Sequence, residues 1–221
     1  MQLSGELFSA PFIGVSAAVA GAVVIAAVRF APWRKLLDRG NSNVFFGALV
    51  CMLVLWLLRT DMEEGLVFHL SAMTALTLMF GWSMGVLGGA IVLGGVTLFG
   101  LGDWSGFFPS LIVEVILPAS LTWLSLLLVR AWLPKNFFIY VFVNAFFTGG
   151  IAAVLSALVT ALFLVYGTSY SWETLGHSYL PYFPLMFFPE AVLNGWIMTI
   201  LVGLKPQWVF SFRDEEYLHG K

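Results

Sequence analysis

The chain has 221 residues, of which 60% are apolar and 16% aromatic, and only 10% are charged. This composition lacks the polar surface that a water-soluble globule of this length needs, so it predicts an integral membrane protein. The net charge of −2, without a clustered basic face, argues against nucleic-acid binding. A single cysteine excludes a disulfide framework or a thiolate zinc site.

Seven apolar runs predict seven membrane spans. A helical crossing needs about 20 apolar residues, and lipid leaves helices or closed barrels as the only options for the backbone. Continuous apolarity without two-residue alternation favours helices, and hence an all-α polytopic protein. The predicted spans are Phe8–Val28, Val44–Leu58, Leu66–Gly81, Ser83–Leu101, Phe107–Val129, Phe137–Val165 and Pro181–Leu204.

The Lys and Arg residues fall on one side of these spans, with Arg59 as the exception. Since cytoplasmic loops carry the excess of positive charge, we expect a multi-pass protein of the inner (plasma) membrane with its amino terminus outside. The run from Leu66 to Leu101 could cross once or twice. Two short helices or a re-entrant pair are favoured, because they leave the cations before and after this run on the same side of the membrane. The cations of the cytoplasmic side are Arg29, Arg34, Lys35, Arg39, Arg130, Lys135, Lys205, Arg213 and Lys221.

Short connectors predict one transmembrane domain, 1–204, and a short cytoplasmic tail, 205–221. The first span resembles a secretory leader, but Glu6 precedes it and the cationic cluster follows it, which is the wrong order for a cleaved signal. We therefore expect this span to be retained.

Two carboxyl groups lie within predicted spans, where a charge near the helix centre costs about 2.5–3.5 kcal/mol on insertion scales. Glu190 lies near the middle of the last span, with Asn194 one turn deeper, and Glu114 lies about 10 Å into the fifth span. Both are candidate substrate-binding residues. In the alternative interpretation, each is protonated or paired with an amide such as Asn144 or Asn194 and holds helices together.

His69 is predicted near the outer end of the third span, with Met73 and Thr77 following at four-residue steps on one helical face. Neutral imidazole with an oxygen or thioether ligand suits late first-row metals, although a lone histidine can also be an interfacial or hydrogen-bonded residue. His177 and His219 are weaker candidates. The outer side is acidic, with Glu6, Asp61, Glu63, Glu64, Asp103 and Glu173, and could concentrate cations.

No feature of the chain predicts an enzyme. The segment from Gly81 to Gly85 matches G-x-S-x-G, but no strand precedes Ser83, and His69 starts its span on the opposite leaflet. The chain also contains no G-x-x-x-x-G-K-[ST] phosphate loop, so it cannot drive transport with ATP by itself.

Four segments carry a resemblance to a known family: Phe68–Trp82, Gly102–Trp104, Leu133–Asn144 and Phe188–Gly195. They resemble energy-coupling-factor permeases of the CbiM/NikM type, the substrate-binding membrane components of cobalt and nickel uptake systems. The resemblance implies a transmembrane coupling protein and cytoplasmic ATPases as partners. It also implies a divalent transition metal as substrate rather than as a permanently bound cofactor.

In that family the metal is held by the amino-terminal amine, a histidine at the second position and a histidine on a later helix. The resemblance thus implies His69 and the amine of Met1 as ligands, while the second position here is Gln2, a poor ligand for nickel or cobalt. Two other hypotheses remain open: a non-transporting assembly or sensor subunit, and an ion-coupled carrier of small solutes that uses the intramembrane carboxylates.

Overall fold

The computed structural model describes residues 3–63, 66–168, 172–178 and 180–212. Long helices dominate: α1 (Ala10–Phe30), α3 (Arg39–Leu57), α5 (Trp82–Leu98), α6 (Phe107–Trp132), α7 (Phe137–Gly167) and α9 (Phe183–Leu204). Shorter helices are α2 (Trp33–Leu36), α4 (Met73–Phe80) and α8 (Trp172–Ser178), and the strands β1 (Arg59–Glu63) and β2 (Leu66–His69) form an antiparallel hairpin. Single 3₁₀ turns occur at Gly5–Leu7, Leu180–Tyr182 and Pro206–Trp208.

Five of these helices, α1, α3, α6, α7 and α9, are long and apolar enough to cross a bilayer, and α5 is a shorter apolar helix of 17 residues. Large apolar side chains on the outside of the bundle, such as Ile25, Phe46 and Trp196, are more than half exposed. In water such a surface would be unfavourable, whereas lipid chains cover it without cost. The prediction of an all-α polytopic membrane protein is confirmed.

The predicted third span, Leu66–Gly81, was wrong in its first half. Leu66–His69 is a strand paired with Arg59–Glu63, with Arg59 opposite His69, and the helix begins only at Met73. A short apolar run does not by itself distinguish a strand from a helix. Ala72 has the left-handed φ of 54°, which ends the extended chain and turns it into α4.

Helix α4 lies at the centre of the bundle. Every residue from Met73 to Met79 is buried, and the helix packs against α5, α6, α7 and α9. Glycines on α5 allow the closest of these contacts: a Cβ on Gly85 would lie 2.7 Å from Thr77 Oγ1, and one on Gly89 would lie 2.9 Å from Met73 Sδ. This small-residue surface therefore serves packing within the chain.

The carboxyl-terminal end of α4 is held by the segment that follows α9. The carbonyls of Leu78 and Met79 accept hydrogen bonds from the N–H groups of Ser211 (3.2 Å) and Phe210 (2.8 Å), and the Ser211 hydroxyl also donates to Leu78 (2.7 Å). Arg130 donates to the Ser211 carbonyl at 2.6 Å. The free carbonyls at the end of α4 are thus satisfied by another part of the chain.

Two of the long helices widen locally into π-helical turns, at Ile112–Ile116 in α6 and at Tyr140–Phe147 in α7. Such turns are rare and occur frequently at functional sites. The first contains Glu114 and the second contains Asn144. In the sequence, both residues are polar groups within predicted apolar spans.

Candidate functional site

A cavity of about 50 Å³ lies where β2 and α4 meet α6, α7 and α9. It brings together four of the predicted site residues: His69, Met73, Glu114 and Glu190. The remaining lining residues are mostly small or apolar: Ser71, Thr74, Val113, Pro118, Gly149, Ala152, Ala153, Ser156, Thr160 and Met186.

His69 and Glu114 face each other in this cavity. The imidazole Nε2 lies 3.3 Å from Glu114 Oε2, and the two residues are only 9% and 5% exposed. The Trp56 ring packs against the imidazole, with centroids 4.7 Å apart, and its indole N–H donates to the Ser71 carbonyl at 2.9 Å.

The other imidazole nitrogen, Nδ1, lies 3.4 Å from the Leu70 carbonyl oxygen. With a proton on Nδ1 directed at this carbonyl, Nε2 presents its lone pair toward Glu114. A lone pair and a carboxylate oxygen repel each other unless a proton or a metal cation lies between them. In the tautomer with the proton on Nε2, the imidazole instead donates directly to Glu114 Oε2.

Glu190 and Asn194 have a different set of partners. The two carboxylate oxygens of Glu190 accept hydrogen bonds from the backbone N–H groups of Ser71 and Ala72 (3.3 Å for the latter) and from the Asn194 amide (2.7 Å). Asn194 Oδ1 accepts from the N–H of Ala75 at 2.8 Å. These side chains of α9 cap the amino-terminal end of α4, a task that Ala72 at the cap position cannot perform.

The other predicted residues make no described hydrogen bond to the His69–Glu114 pair. Met73 lines the cavity, but its sulfur packs against Gly89, and Thr77 packs against Gly85. The Asn144 carboxamide is buried and has no hydrogen-bond partner within the described part of the chain. Met1, Gln2, Glu64 and His219 lie outside the described residues, as does the side chain of His177.

Sequence reasoning missed two hydroxyl groups of α7, those of Ser156 and Thr160, which line the cavity. Their oxygens are buried and have no hydrogen-bond partner among the residues that the structure describes. A buried polar group without a partner costs about 1–3 kcal/mol, so two of them on one cavity wall require an explanation. The sequence signal for them was their four-residue spacing within an apolar helix, which places both hydroxyls on one face.

The amino-terminal segment is fastened beside the cavity. The N–H of Leu3 donates to Ser110 Oγ at 2.8 Å, and Ser110 lies one helical turn before Glu114 on α6. The N–H of Gly5 donates to Asp103 at 2.8 Å. The Ser105 hydroxyl donates to Asp103 as well and is the main cause that lowers the pKa of Asp103 below its ordinary value of 3.8.

The fold and the cavity together define a multi-pass membrane protein with a small cavity inside the bundle, lined mostly by small or apolar residues together with His69, Glu114 and Glu190. The chain matches the family model CbiM, described as the cobalt uptake substrate-specific transmembrane region, over residues 3–208. It belongs to that family and is thus a membrane component of the cobalt and nickel uptake class.

A solved structure titled "Crystal Structure of an Truncated Transition metal Transporter" has the same fold, with a TM-score of 0.77 and 16% sequence identity. The similarity covers 92% of this chain and 99% of that chain. A search of curated protein sequences gave no significant match.

Proposed function

We propose that the chain is the substrate-binding membrane subunit of an energy-coupling-factor importer for a divalent transition metal such as cobalt or nickel. The observation that carries the proposal is the buried pair of His69 Nε2 and Glu114 Oε2, 3.3 Å apart in a cavity inside the family's fold. Imidazole nitrogen and carboxylate oxygen are both effective ligands for late first-row divalent ions.

A bound dication would also suit the charge of this pair. A carboxylate removed from water is unfavourable unless a counter-charge or hydrogen bonds compensate it. A metal ion between Glu114 and His69 neutralises the carboxylate and accepts the imidazole lone pair. Nδ1 of His69, near the Leu70 carbonyl, would hold the ring in the orientation that metal binding requires.

His69 and Glu114 need a further ligand. No group of three or more His, Cys, Asp and Glu side chains is close enough to hold a metal within the described ranges, which end at residue 212. We propose the amine of Met1 for this position. Two residues reach at most about 7 Å from Leu3, and Leu3 is anchored at Ser110, about 5.4 Å along the axis from Glu114.

The size of the cavity supports a metal ion rather than a larger solute. A cavity needs a volume of about 10–15 Å³ to hold one water molecule. The cavity of about 50 Å³ therefore accommodates an ion with three or four small ligands. The carrier hypothesis, which uses both carboxylates, is less well supported because backbone N–H groups already occupy Glu190.

Release of the metal to the cytoplasm would depend on partner proteins. The chain contains no phosphate-binding loop. A transmembrane coupling protein and cytoplasmic ATPases would supply the work, as the family resemblance implies.

Metal titration of the purified full-length protein tests the proposal. Calorimetric titration with Co²⁺ and Ni²⁺ should show saturable binding, and His69→Ala should weaken it at least about 100-fold, since even outer-shell changes cost 10–100-fold. His219→Ala, the same substitution in the terminal segment, is the control and should bind as the wild type does. Absence of binding, or equal binding by His69→Ala, would contradict the proposal.

A further inference from the structure

A second, larger cavity of about 320 Å³ lies where the ends of several helices meet. It is lined by residues of α2, the start of α3, the carboxyl-terminal end of α4, the start of α5 and the segment that follows α9. Helices α1, α3 and α9 are each long enough to cross a bilayer, and the cavity lies at one end of each of them. It is therefore at the membrane surface, on the side that the charge pattern predicts to be cytoplasmic.

The polar side chains that line this cavity are exposed: Lys35, Asn41 and Gln207. The Lys35 Nζ lies 2.9 Å from the centroid of the Phe210 ring, which places the ammonium group at the cavity wall. The side-chain amides of Asn41 and Gln207 make no hydrogen bond within the described part of the chain. The cavity thus offers one cation and two amide donors to a ligand that arrives from outside.

Positive charge predominates around the cavity. In the described segments 29–44, 79–84 and 204–210, the acidic side chain is Asp38, which caps α3 and accepts the Asn41 backbone N–H at 3.1 Å. The basic side chains of the same segments are Arg29, Arg34, Lys35, Arg39 and Lys205. This balance attracts an anion and makes the cavity unsuitable for a second metal ion.

The surroundings of the polar lining are apolar and aromatic. Phe80 and Trp208 line the cavity together with Lys35. Beside Lys35 in the chain, Trp33 and Leu37 are 49% and 82% exposed. Tryptophan concentrates at the level of lipid headgroups, and an exposed leucine at the end of a membrane helix faces lipid chains. A ligand with an anionic head and apolar chains matches this combination, whereas a soluble anion matches only its polar part.

We propose that this cavity binds the headgroup of an anionic phospholipid, such as phosphatidylglycerol, from the surrounding leaflet. Its volume lies within the range of about 300–1,000 Å³ that is typical of small-molecule sites. Basic pockets between membrane helices on the cytoplasmic side are known to bind anionic headgroups. The lipid phosphate accepts hydrogen bonds from Lys35, Asn41 and Gln207, and the acyl chains lie beside Trp33 and Leu37.

The bound lipid would join parts of the chain that are distant in sequence. Gln207 and Phe210 belong to the segment after α9, and the Phe210 N–H donates to the Met79 carbonyl at the end of α4. Lys35 and Asn41 belong to α2 and α3. A headgroup held by both sets therefore stabilises the contact of this segment with the bundle. The inference does not depend on the proposed function.

Thermal unfolding of the purified full-length protein in dodecyl maltoside tests the proposal. The probes are dioleoyl-phosphatidylglycerol, dioleoyl-phosphatidylcholine and glycerol 3-phosphate, each added separately. We expect phosphatidylglycerol to raise the unfolding temperature by about 2–4 °C, because a ligand that binds only the folded state stabilises it. Phosphatidylcholine, which has no net charge, and glycerol 3-phosphate, which has no acyl chains, should leave the unfolding temperature unchanged.

Variants locate the effect, and native mass spectrometry measures the affinity for phosphatidylglycerol. Lys35→Gln should weaken binding about fivefold, as expected for the loss of one cation at a lipid surface. Asn41→Ala keeps the charge and should weaken binding about threefold through the loss of one donor. The control is Lys135→Gln, the same substitution at an exposed lysine between α6 and α7, and it should keep the wild-type affinity.

Several outcomes would overturn the proposal. Equal stabilisation by phosphatidylglycerol and phosphatidylcholine would show that charge is not recognised, and wild-type affinity in Lys35→Gln would remove the cavity from the binding site. Stabilisation by glycerol 3-phosphate would identify a soluble anion as the ligand. None of these measurements involves Co²⁺ or Ni²⁺, so failure here is distinct from failure of the proposed function.

The rival occupant is the chain's own acidic cluster of Asp214, Glu215 and Glu216, which lies outside the described residues. If this cluster filled the cavity, phosphatidylglycerol would not stabilise the wild type and would stabilise only the variant in which all three are replaced by their amides. That result would also overturn the proposal.

Discussion

Two buried carboxylates, Glu114 and Glu190, line the cavity, and they differ in what surrounds them. Glu114 lies on a π-helical turn of α6 and faces the imidazole of His69. Glu190 lies on α9 and faces the first turn of α4, where it accepts hydrogen bonds from two backbone N–H groups and an amide. Both are buried to nearly the same extent.

The difference shows that burial of a carboxylate does not identify its role. Free N–H groups and the dipole at a helix start stabilise an anion, so Glu190 is compensated within the protein. Glu114 has the titratable side chain of His69 as a partner. Under the proposed function, cargo binding belongs to the Glu114 side, whereas the hydrogen bonds of Glu190 position α4.

The largest effect, a loss of stability, is expected when Glu190 is replaced. Glu190→Ala leaves the N–H groups of Ser71 and Ala72 without a partner, and at about 1–3 kcal/mol for each buried group we expect a loss of about 3 kcal/mol in unfolding free energy. Denaturant unfolding in detergent measures this loss. The control is Glu173→Ala, an exposed carboxylate on α8. Equal stabilities of the two variants would refute the capping role.

A smaller effect is expected when Glu114 is replaced, and it concerns the affinity for Co²⁺ rather than stability. Glu114→Gln keeps the shape of the side chain but removes the negative charge, so Co²⁺ affinity should fall about 10- to 100-fold, or about 1.4–2.8 kcal/mol. The unfolding free energy without metal is measured alongside, because the substitution also alters the buried contact with His69. Unaltered Co²⁺ affinity in calorimetry would remove Glu114 from the proposed site.

Glu190→Gln is the matched counterpart of Glu114→Gln. Glutamine can still accept one backbone hydrogen bond but turns an N–H group toward the other, so the variant should lose about 1–2 kcal/mol of stability. Its Co²⁺ affinity per folded molecule should stay within about threefold of the wild type, or about 0.6 kcal/mol. A loss of affinity as large as that of Glu114→Gln would mean that both carboxylates contact the metal.

The smallest effect concerns the anchor of the amino-terminal segment. Asp103→Asn removes the charge that accepts the Gly5 N–H, and we expect a slight loss of thermal stability at neutral pH. Because the pKa of Asp103 is lowered in the folded protein, its carboxylate stabilises the fold above the unfolded pKa, and this contribution is lost as the pH falls below about 4. Unfolding temperatures of both proteins measured from pH 7 downwards should therefore converge, and a constant difference would contradict this role.

The sequence predicted the membrane class and the long helices well, because lipid imposes length and apolarity on every span. It failed at Leu66–His69, where the strand is set by pairing with Arg59–Glu63, a tertiary contact that apolarity alone does not reveal. It also named His69, Glu114 and Glu190 as separate candidate substrate-binding residues, and all three line the cavity.

The distinction between the two carboxylates could not be predicted from the sequence. It depends on where α4 begins, since the start of that helix supplies the N–H groups that engage Glu190. The hydroxyls of Ser156 and Thr160 were overlooked for a related reason. Serine and threonine in an apolar helix ordinarily bond to their own backbone, and only the structure shows that these two do not.

X-ray absorption spectroscopy of the Co²⁺-loaded protein tests the central claim most directly, because it identifies the atoms bound to the metal. The account predicts imidazole nitrogen and carboxylate oxygen in the wild type, the same spectrum in Glu190→Gln, and loss of the imidazole signal in His69→Ala. A spectrum without imidazole in the wild type, or one that changes in Glu190→Gln, would contradict it.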